Sequence, residues 1–341
     1  MTQAAAQTAP QDPPLGAEEK PFLEARNLVK RFPVRGGVLN RIVSNVHAVT
    51  DVSFQIKRGE TLGVVGESGC GKSTLGKMLI RLLEPTAGSI ALEGREITGL
   101  GHQAMMPVRR RMQIIFQDPY SSLNPRLTVR QLLREAIGFH GIVARDEMED
   151  YIDGLIETVG LRPEAKLKFP HEFSGGQRQR LGIARALALK PEFIVADEPV
   201  SALDVSIQAQ VLNLMMDLKE QFGLTMLFIS HDLKVVEHFC DRVLVMYLGR
   251  VVESLPCDRL RTDAQHPYTR ALLGANPIDD PDQRRPLTIL QGDVPSPLNP
   301  PPGCAFAGRC PEVTDPCRRE VPPLTLKTSG YPAACWERQD A

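Results

Sequence analysis

The sequence carries almost no net charge: 40 Lys and Arg against 41 Asp and Glu leave −1 at pH 7. The overall balance therefore favours neither nucleic acid nor an anionic membrane surface as the main partner. Long apolar runs are also missing. Stretches such as FIVA and VLVMYLG fall far short of the roughly 18–20 residues that span a bilayer, so any membrane role comes through a partner. The opening MTQAAAQTAPQDPPLGAEEKP has neither a basic n-region nor an apolar h-region, and its Ala, Gln and Pro content reads as a disordered lead-in over residues 1–20. Without a secretory signal the expectation is a cytosolic protein, in which the seven cysteines are not a disulfide framework. Sustained heptads and an NKxD guanine-reading motif are absent. At 341 residues the chain can bury a full core, and about 100–200 residues per domain predicts one large domain with an appendage.

What is present begins with GETLGVVGESGCGKSTLGKMLIRLLEP. An apolar strand runs into the loop Gly66-Glu67-Ser68-Gly69-Cys70-Gly71-Lys72-Ser73-Thr74, and a helical pattern follows, with Leu75, Met78, Leu79, Leu82 and Leu83 on one face and Lys77 and Arg81 turned away. Strand, GxxxxGKS loop and helix form the order of a phosphate-binding loop. Glycines at 66, 69 and 71 let successive N–H groups turn around phosphate oxygens, and the helix N-terminus favours the anion. Lys72 is expected to reach the β- and γ-phosphates and the Ser73 hydroxyl to ligate magnesium.

The run PEFIVADEPVSALDV reads as a buried strand, Phe193 to Ala196, delivering two carboxylates to its C-terminal tip. Asp197 is placed to hold magnesium and Glu198 to orient or deprotonate an attacking water. A further strand, Met226 to Ile229, ends at Ser230 and His231, and MQIIFQ ends at Gln117. Either side chain alone is uninformative, but both leave strand ends as the two carboxylates do. His231 then suits a γ-phosphate, and Gln117 suits magnesium and water. SALDVSIQAQVLNLMMDLKEQFG opens a long helix with Gly223 as its cap.

A second small-residue turn lies in FSGGQRQRLGIARAL. A Ser hydroxyl and glycine amides at a helix N-terminus form an anion cradle, and a chain that holds one triphosphate in its own loop needs no second cradle nearby. Arg178 and Arg180 add positive charge behind it.

The phosphate loop, Gln117, the Ser-Gly-Gly-Gln turn, ADE, SALD and His231, in this order, resemble the nucleotide-binding subunit of an ATP-binding-cassette (ABC) transporter over essentially residues 24–341. The resemblance implies an α/β fold of the P-loop NTPase class, the ABC nucleotide-binding domain: a RecA-like core, an antiparallel β subdomain and a helical subdomain, with a C-terminal Cys-rich extension. It implies an ABC ATPase domain over residues 21–260, the helical subdomain inserted at about 118–171, and the extension at 261–341. It further implies that Ser174, Gly175, Gly176 and Gln177 bind the γ-phosphate of ATP held by the opposite subunit, and that Asp204 faces the partner's phosphate loop. Phe32 matches the family's adenine-stacking aromatic, although a core Phe on an edge strand reads equally from the residues. DPYSSLNPRLTV after Gln117 matches the border of the groove that accepts a permease helix. The family usually has Leu where this chain has Phe173. Every catalytic position is filled, which implies an active Mg2+-dependent ATPase.

QHPYTRALLGANP and LQGDVPSPLNPPPGCAFAGRCPEVTDPC resemble the dipeptide and oligopeptide importer branch, as do the insertion PVRGGVLNRIVSNVHAV and QDPYSSLNPR. The chain resembles that branch's F-type ATPase. The implied partners are a related D-type ATPase or a second copy, two membrane permeases and, indirectly, an external peptide-binding protein, with no nucleic acid; the implied place is the cytoplasmic face of the inner membrane. The proline-rich run reads as an extended arm. Cys304, Cys310, Cys317 and Cys335 are spaced C-x5-C-x6-C-x17-C. Four clustered thiols predict a metal site, a 4Fe–4S cluster first because paired C-x2-C knuckles are missing, and structural zinc second, with unligated structural cysteines as the alternative. Cys70 predicts that a thiol reagent blocks ATP. The rival class is a non-transport ABC ATPase acting on ribosomes or DNA; such proteins normally carry two cassettes or a long coiled coil, and neither occurs here.

Overall fold

The computed structural model describes residues 20–36, 40–118, 123–275 and 292–340; the lead-in before residue 20 and residues 119–122 of the expected groove border lie outside them. They fall into two compact units, one of residues up to 57, 62–98 and 231 onward, the other of 58–61 and 99–230.

The first unit opens with β1 (Leu23–Gly36) and β2 (Arg41–Ile56), antiparallel from Leu23 opposite Ile56 to Gly36 opposite Arg41. β4 (Ala87–Leu92) flanks β1, and β5 (Arg95–Glu96) completes the order β2-β1-β4-β5. One face is wet, so Leu23, Ala25 and Leu28 are buried while Phe32, Ile42 and Val43 are exposed. β3 (Thr61–Val65), buried throughout, runs parallel to β9 (Arg242–Tyr247), and β10 (Arg250–Pro256) returns antiparallel on β9. The β9–β10 hairpin turns at Leu248 (φ 44°) and Gly249 (φ 79°), the two left-handed residues that a type I′ hairpin demands. β12 (Pro332–Ala333) and β11 (Thr325–Leu326), from the C-terminal region, extend that edge.

The helix after the phosphate loop spans Lys72–Leu79 and buries Leu75, Met78 and Leu79. It is shorter than its apolar repeat predicts. Arg81 sits at φ 55°, outside the helical basin, and Leu82 is 52% exposed. Arg81, expected to turn away, is buried, and its guanidinium donates to the Ile97 carbonyl and to Glu84. An arginine that finds a buried carbonyl ends the helix where leucine spacing alone would continue it.

The second unit holds three parallel strands, β6 (Met112–Ile115), β7 (Phe193–Asp197) and β8 (Thr225–Ile229), with β7 central. β7 and β8 are buried at every position, as continuous apolar strands of a covered parallel sheet should be. Between β6 and β7 come helices Val129–His140 and Met148–Thr158, both within the stretch expected to be helical, two short 3₁₀ turns, and then helix Gly175–Leu187. Helix Val205–Phe222 ends on Gly223 at φ 61° as expected, although Phe222 is exposed. Helix His102–Arg111, with Pro107 inside, was not evident from the periodicity. Among the described residues no helix is long and apolar enough to cross a membrane.

Candidate functional site

In the first unit the phosphate loop joins β3 to the helix Lys72–Leu79. Gly66, Gly69 and Gly71 have φ of 154°, 79° and 105°, conformations that side chains rarely adopt. Two of them are also pinned by neighbours: a Cβ on Gly66 would lie 2.2 Å from the Met246 carbonyl oxygen, and one on Gly71 would lie 2.1 Å from that of Ala48. Lys72, 4% exposed, donates its Nζ across the loop to the carbonyls of Gly66 (2.7 Å) and Glu67 (3.1 Å). A buried ammonium held only by loop carbonyls in these bonds, at the N-terminus of a helix, fits a polyphosphate, which would supply the negative charge they lack. Ser73 and Thr74, half-buried, begin the helix. Ser68, Gly69 and Cys70 line a cavity of about 250 Å³ that Val294, Pro295, Ser296 and Pro297 also border. Cys70 is buried, and burial pushes its thiol up.

In the second unit the two carboxylates stand where the strand pattern put them. Asp197 ends β7 and is buried. Glu198 follows at φ 46°, a strained backbone for a Glu of the kind that clusters at functional sites. Its N–H donates to the Ile229 carbonyl (3.0 Å), its carbonyl accepts from the Ser201 hydroxyl (3.0 Å), and its Oε2 accepts from Nε2 of Gln117 (3.0 Å). Two backbone bonds and one bond to the carboxylate thus hold Glu198 beyond the ends of adjacent parallel strands. This is the place where open α/β sheets present ligand-binding groups.

The Ser-Gly-Gly-Gln turn is a reciprocal cap of helix Gly175–Leu187. Ser174 Oγ accepts from the Gln177 N–H (3.4 Å) and Gln177 Oε1 accepts from the Ser174 N–H (3.1 Å). The S-x-x-Q spacing is itself a capping-box signature and was readable from the sequence. The cap uses an acceptor lone pair of the hydroxyl and leaves its O–H to donate, and the first-turn amides of Gly175 and Gly176 have no acceptor within the helix. Gly176 packs so closely on Ile207 that a Cβ would lie 2.5 Å from its Cγ2. Arg178 and Arg180, on the first turns of this helix, are tied to backbone carbonyls. Arg178 donates to the carbonyls of Pro170 and His171, and Arg180 to that of Val159, so both pin the preceding helical segment.

Phe32 lies on β1 opposite Val46, 36% exposed, with the Lys30 ammonium 5.1 Å from its ring centre. It is available for stacking and is not a core residue. His231 is exposed and begins the chain's return to the first unit. Asp204 caps helix Val205–Phe222 by position, without a side-chain bond, and is exposed.

The described residues give no support to the metal centre expected at the four thiols. All four cysteines are unbonded, and among the described residues no three His, Cys, Asp or Glu side chains converge as a cation site. Burial, with smaller contributions from Cys317, Cys310 and Cys335, pushes the Cys304 thiol up to about 11. Burial also raises Cys310 and Cys335. Cys317 Sγ instead lies 3.3 Å from the Thr314 hydroxyl. The iron–sulfur and zinc expectations are therefore unsupported. The proline-rich arm is non-helical, as expected, and Pro297 accepts from the His47 N–H (2.9 Å).

Contacts on the loop from the C-terminal region were not legible in the sequence. Arg309 forms a two-bond ion pair with Glu67 from 242 positions away, and the Tyr268 hydroxyl accepts from the Glu67 N–H. Only the quoted motif around Tyr268 marked that neighbourhood as distinctive.

Residues 49–201 match the ABC transporter family, and residues 252–317 match the oligopeptide/dipeptide transporter C-terminal region. A Sinorhizobium fredii protein described as "Probable peptide ABC transporter ATP-binding protein y4tS" is 53% identical over 94% of this chain and 91% of its own. The oligopeptide transport ATP-binding protein AppF of Bacillus subtilis is 49% identical over 94% of this chain and 98% of its own. The di/tripeptide transport ATP-binding protein DppF of Pseudomonas aeruginosa is 50% identical over 89% and 94%. Among solved structures, cbiO1 of Clostridium perfringens, part of the ABC transporter complex cbiONQ, matches 71% of this chain and 90% of its own with TM-score 0.60 at 27% identity. A dimeric post-hydrolysis state of the ATP-binding cassette MJ0796, bound to ADP and phosphate, matches 69% and 98% with TM-score 0.61 at 28% identity. The chain, with its α/β fold, belongs to the ATP-binding proteins of the ABC transporter family, in the branch that carries the oligopeptide/dipeptide transporter C-terminal region.

Proposed function

We propose that this chain is the ATP-hydrolysing motor subunit of an importer for dipeptides and oligopeptides. The observation that carries the reading is Glu198, held by Gln117 on a strained backbone directly after the buried Asp197, in a chain with a complete phosphate loop. In this reading the loop amides from Gly66 to Thr74 and the Lys72 ammonium hold the triphosphate, and Phe32 stacks on adenine. Ser73, Asp197 and Gln117 are the residues that would hold Mg2+, which neutralises charge on the phosphates when bound. Glu198 accepts the proton of the attacking water; its bond from Gln117 fixes the direction in which the carboxylate points. His231 donates to the γ-phosphate.

The Ser174–Gln177 turn donates its hydroxyl and first-turn amides to the γ-phosphate held by the opposite subunit, so the ATPase works as a pair, either of two copies or with a related D-type ATPase. Closure of the pair on ATP pulls on two permeases, and hydrolysis removes the bridging phosphate and lets the pair reopen. The motor lies at the cytoplasmic face of the inner membrane, and the peptide reaches it only as a signal through the permeases and their external binding protein. The antiparallel sheet, the helical insertion and the C-terminal region act as the subdomains of this motor.

The test is uptake of labelled dipeptides in vesicles containing the chain, its permeases and the external binding protein. ATP-dependent uptake, lost in Lys72→Ala, is expected. Lack of association with permeases, together with co-purification with ribosomes or DNA, overturns the transport reading in favour of a non-transport ABC ATPase.

A further inference from the structure

The second residue of the phosphate loop, Glu67, is gripped twice by the C-terminal region. Arg309 donates from both terminal nitrogens to its two carboxylate oxygens, at 2.7 and 3.0 Å, while the Tyr268 hydroxyl accepts from its backbone N–H at 2.9 Å. The grip is stiff at its far end. The Arg309 side chain is only 8% exposed and its guanidinium also reaches the Tyr247 hydroxyl (3.4 Å). The rings of Tyr247, Tyr268 and Phe306 pack together with centres 4.7, 5.3 and 5.4 Å apart. The backbone of the Cys304–Arg309 segment closes on itself, Ala307 N–H to the Cys304 carbonyl and Arg309 N–H to the Phe306 carbonyl.

A carboxylate in a loop built for a polyphosphate repels its ligand unless that charge is cancelled. The planar fork of Arg309 cancels it and fixes its direction, which a lysine ammonium could not do equally well. The Tyr268 hydroxyl, by taking the Glu67 amide, sets the backbone at the loop's entry. We propose that Arg309 and Tyr268 are positioning residues for the nucleotide: the C-terminal region sets the affinity of the phosphate loop by clamping Glu67 and neutralising its charge. This rests on the reading that the loop binds ATP, and both residues act through Glu67.

The sign of the electrostatic part makes it separable from general stabilisation. With Glu67 intact, Arg309→Gln leaves an unopposed carboxylate in the loop, whereas removing both charges restores neutrality. The experiment measures the Kd for ATP, by fluorescence of a labelled ATP analogue and competition with ATP, on the full chain. The variants are Arg309→Gln, Tyr268→Phe, Glu67→Gln and the Glu67→Gln/Arg309→Gln pair, each measured well below its melting temperature. Arg309→Gln is expected to weaken ATP about tenfold and the pair to recover most of that loss, while Tyr268→Phe weakens it severalfold. A folded Arg309→Gln with wild-type affinity, or a pair as weak as the single variant, overturns the proposal. If Arg309→Gln does not fold, Arg309→Lys, which keeps the charge but loses the fork, replaces it: intermediate weakening supports the clamp and unchanged affinity refutes it. Failure of the wild-type chain to bind ATP is a different result, and it overturns the functional reading on which the clamp depends.

Discussion

Replacing Gly71 by Ala combines two costs at one atom. The residue sits at φ 105°, where an L side chain is strained by roughly 1–2 kcal/mol. The new Cβ would also lie 2.1 Å from the Ala48 carbonyl oxygen, against an ordinary C···O contact of about 3.3–3.6 Å. That oxygen belongs to β2 and cannot rotate away as a side-chain tip would, so the loop or the strand must move by roughly 1 Å, as the difference from an ordinary contact implies. We expect Gly71→Ala to cost about 3 kcal/mol or more in equilibrium denaturation and to abolish tight ATP binding, because the displaced backbone carries the cradle amides. Gly69→Ala is the internal control. Its φ is 79°, yet a Cβ there meets nothing within 4 Å, so about 1 kcal/mol of backbone strain is all that is expected. Denaturant midpoints of the two variants, with ATP titrations on the folded forms, decide the matter. A Gly71→Ala protein no less stable than Gly69→Ala would refute the steric argument for this loop.

His266 makes stability depend on pH. Complete burial, with Arg338 adding to it, pushes its imidazole down to about 3, while an unfolded chain titrates near about 6.5. The stabilisation is present above the unfolded value and is lost as pH falls toward the folded one, at about 1.4 kcal/mol per pH unit. Between pH 7 and 5 the wild type should lose about 2 kcal/mol more than His266→Asn, which keeps an acceptor for the Tyr268 N–H; parallel urea curves would contradict this. At Cys70 the buried, raised thiol predicts slow maleimide labelling at neutral pH, faster labelling at higher pH and protection by ATP. Once labelled, Cys70 should no longer allow ATP binding, and full labelling without loss of binding would sink that expectation.

The parts of the site legible in the sequence are those in which chemistry and periodicity coincide locally. The loop glycines lie between an apolar strand and a helix start, and Asp197 and Glu198 lie at the end of a run apolar enough to be a buried strand. The positive φ at Glu198 was not legible, because it depends on the bonds its backbone makes to Ile229 and Ser201. The helix after the loop was overextended because leucine spacing continues past Leu79 while the Arg81 guanidinium, drawn to the Ile97 carbonyl, ends it. Arg178 and Arg180 read as positive charge behind the turn; their bonds to the carbonyls of Pro170, His171 and Val159 were not legible in the sequence. The four C-terminal cysteines show the limit of spacing arguments: clustering along the sequence does not by itself make a cation site, and among the described residues no such group of side chains converges. The clamp on Glu67 joins residues more than 200 positions apart, a distance over which no local pattern operates.

In the proposed motor, Glu198 is required for hydrolysis but not for binding of ATP. The most direct measurement is single-turnover ATP hydrolysis by Glu198→Gln, alongside ATP binding and ATP-dependent pairing of subunits. The amide keeps the shape and can still meet Gln117, but it cannot accept a proton, so hydrolysis should fall by about 10²–10⁴-fold while ATP is bound and trapped in a closed pair. Hydrolysis at the wild-type rate would contradict the account and remove Glu198 from the chemistry.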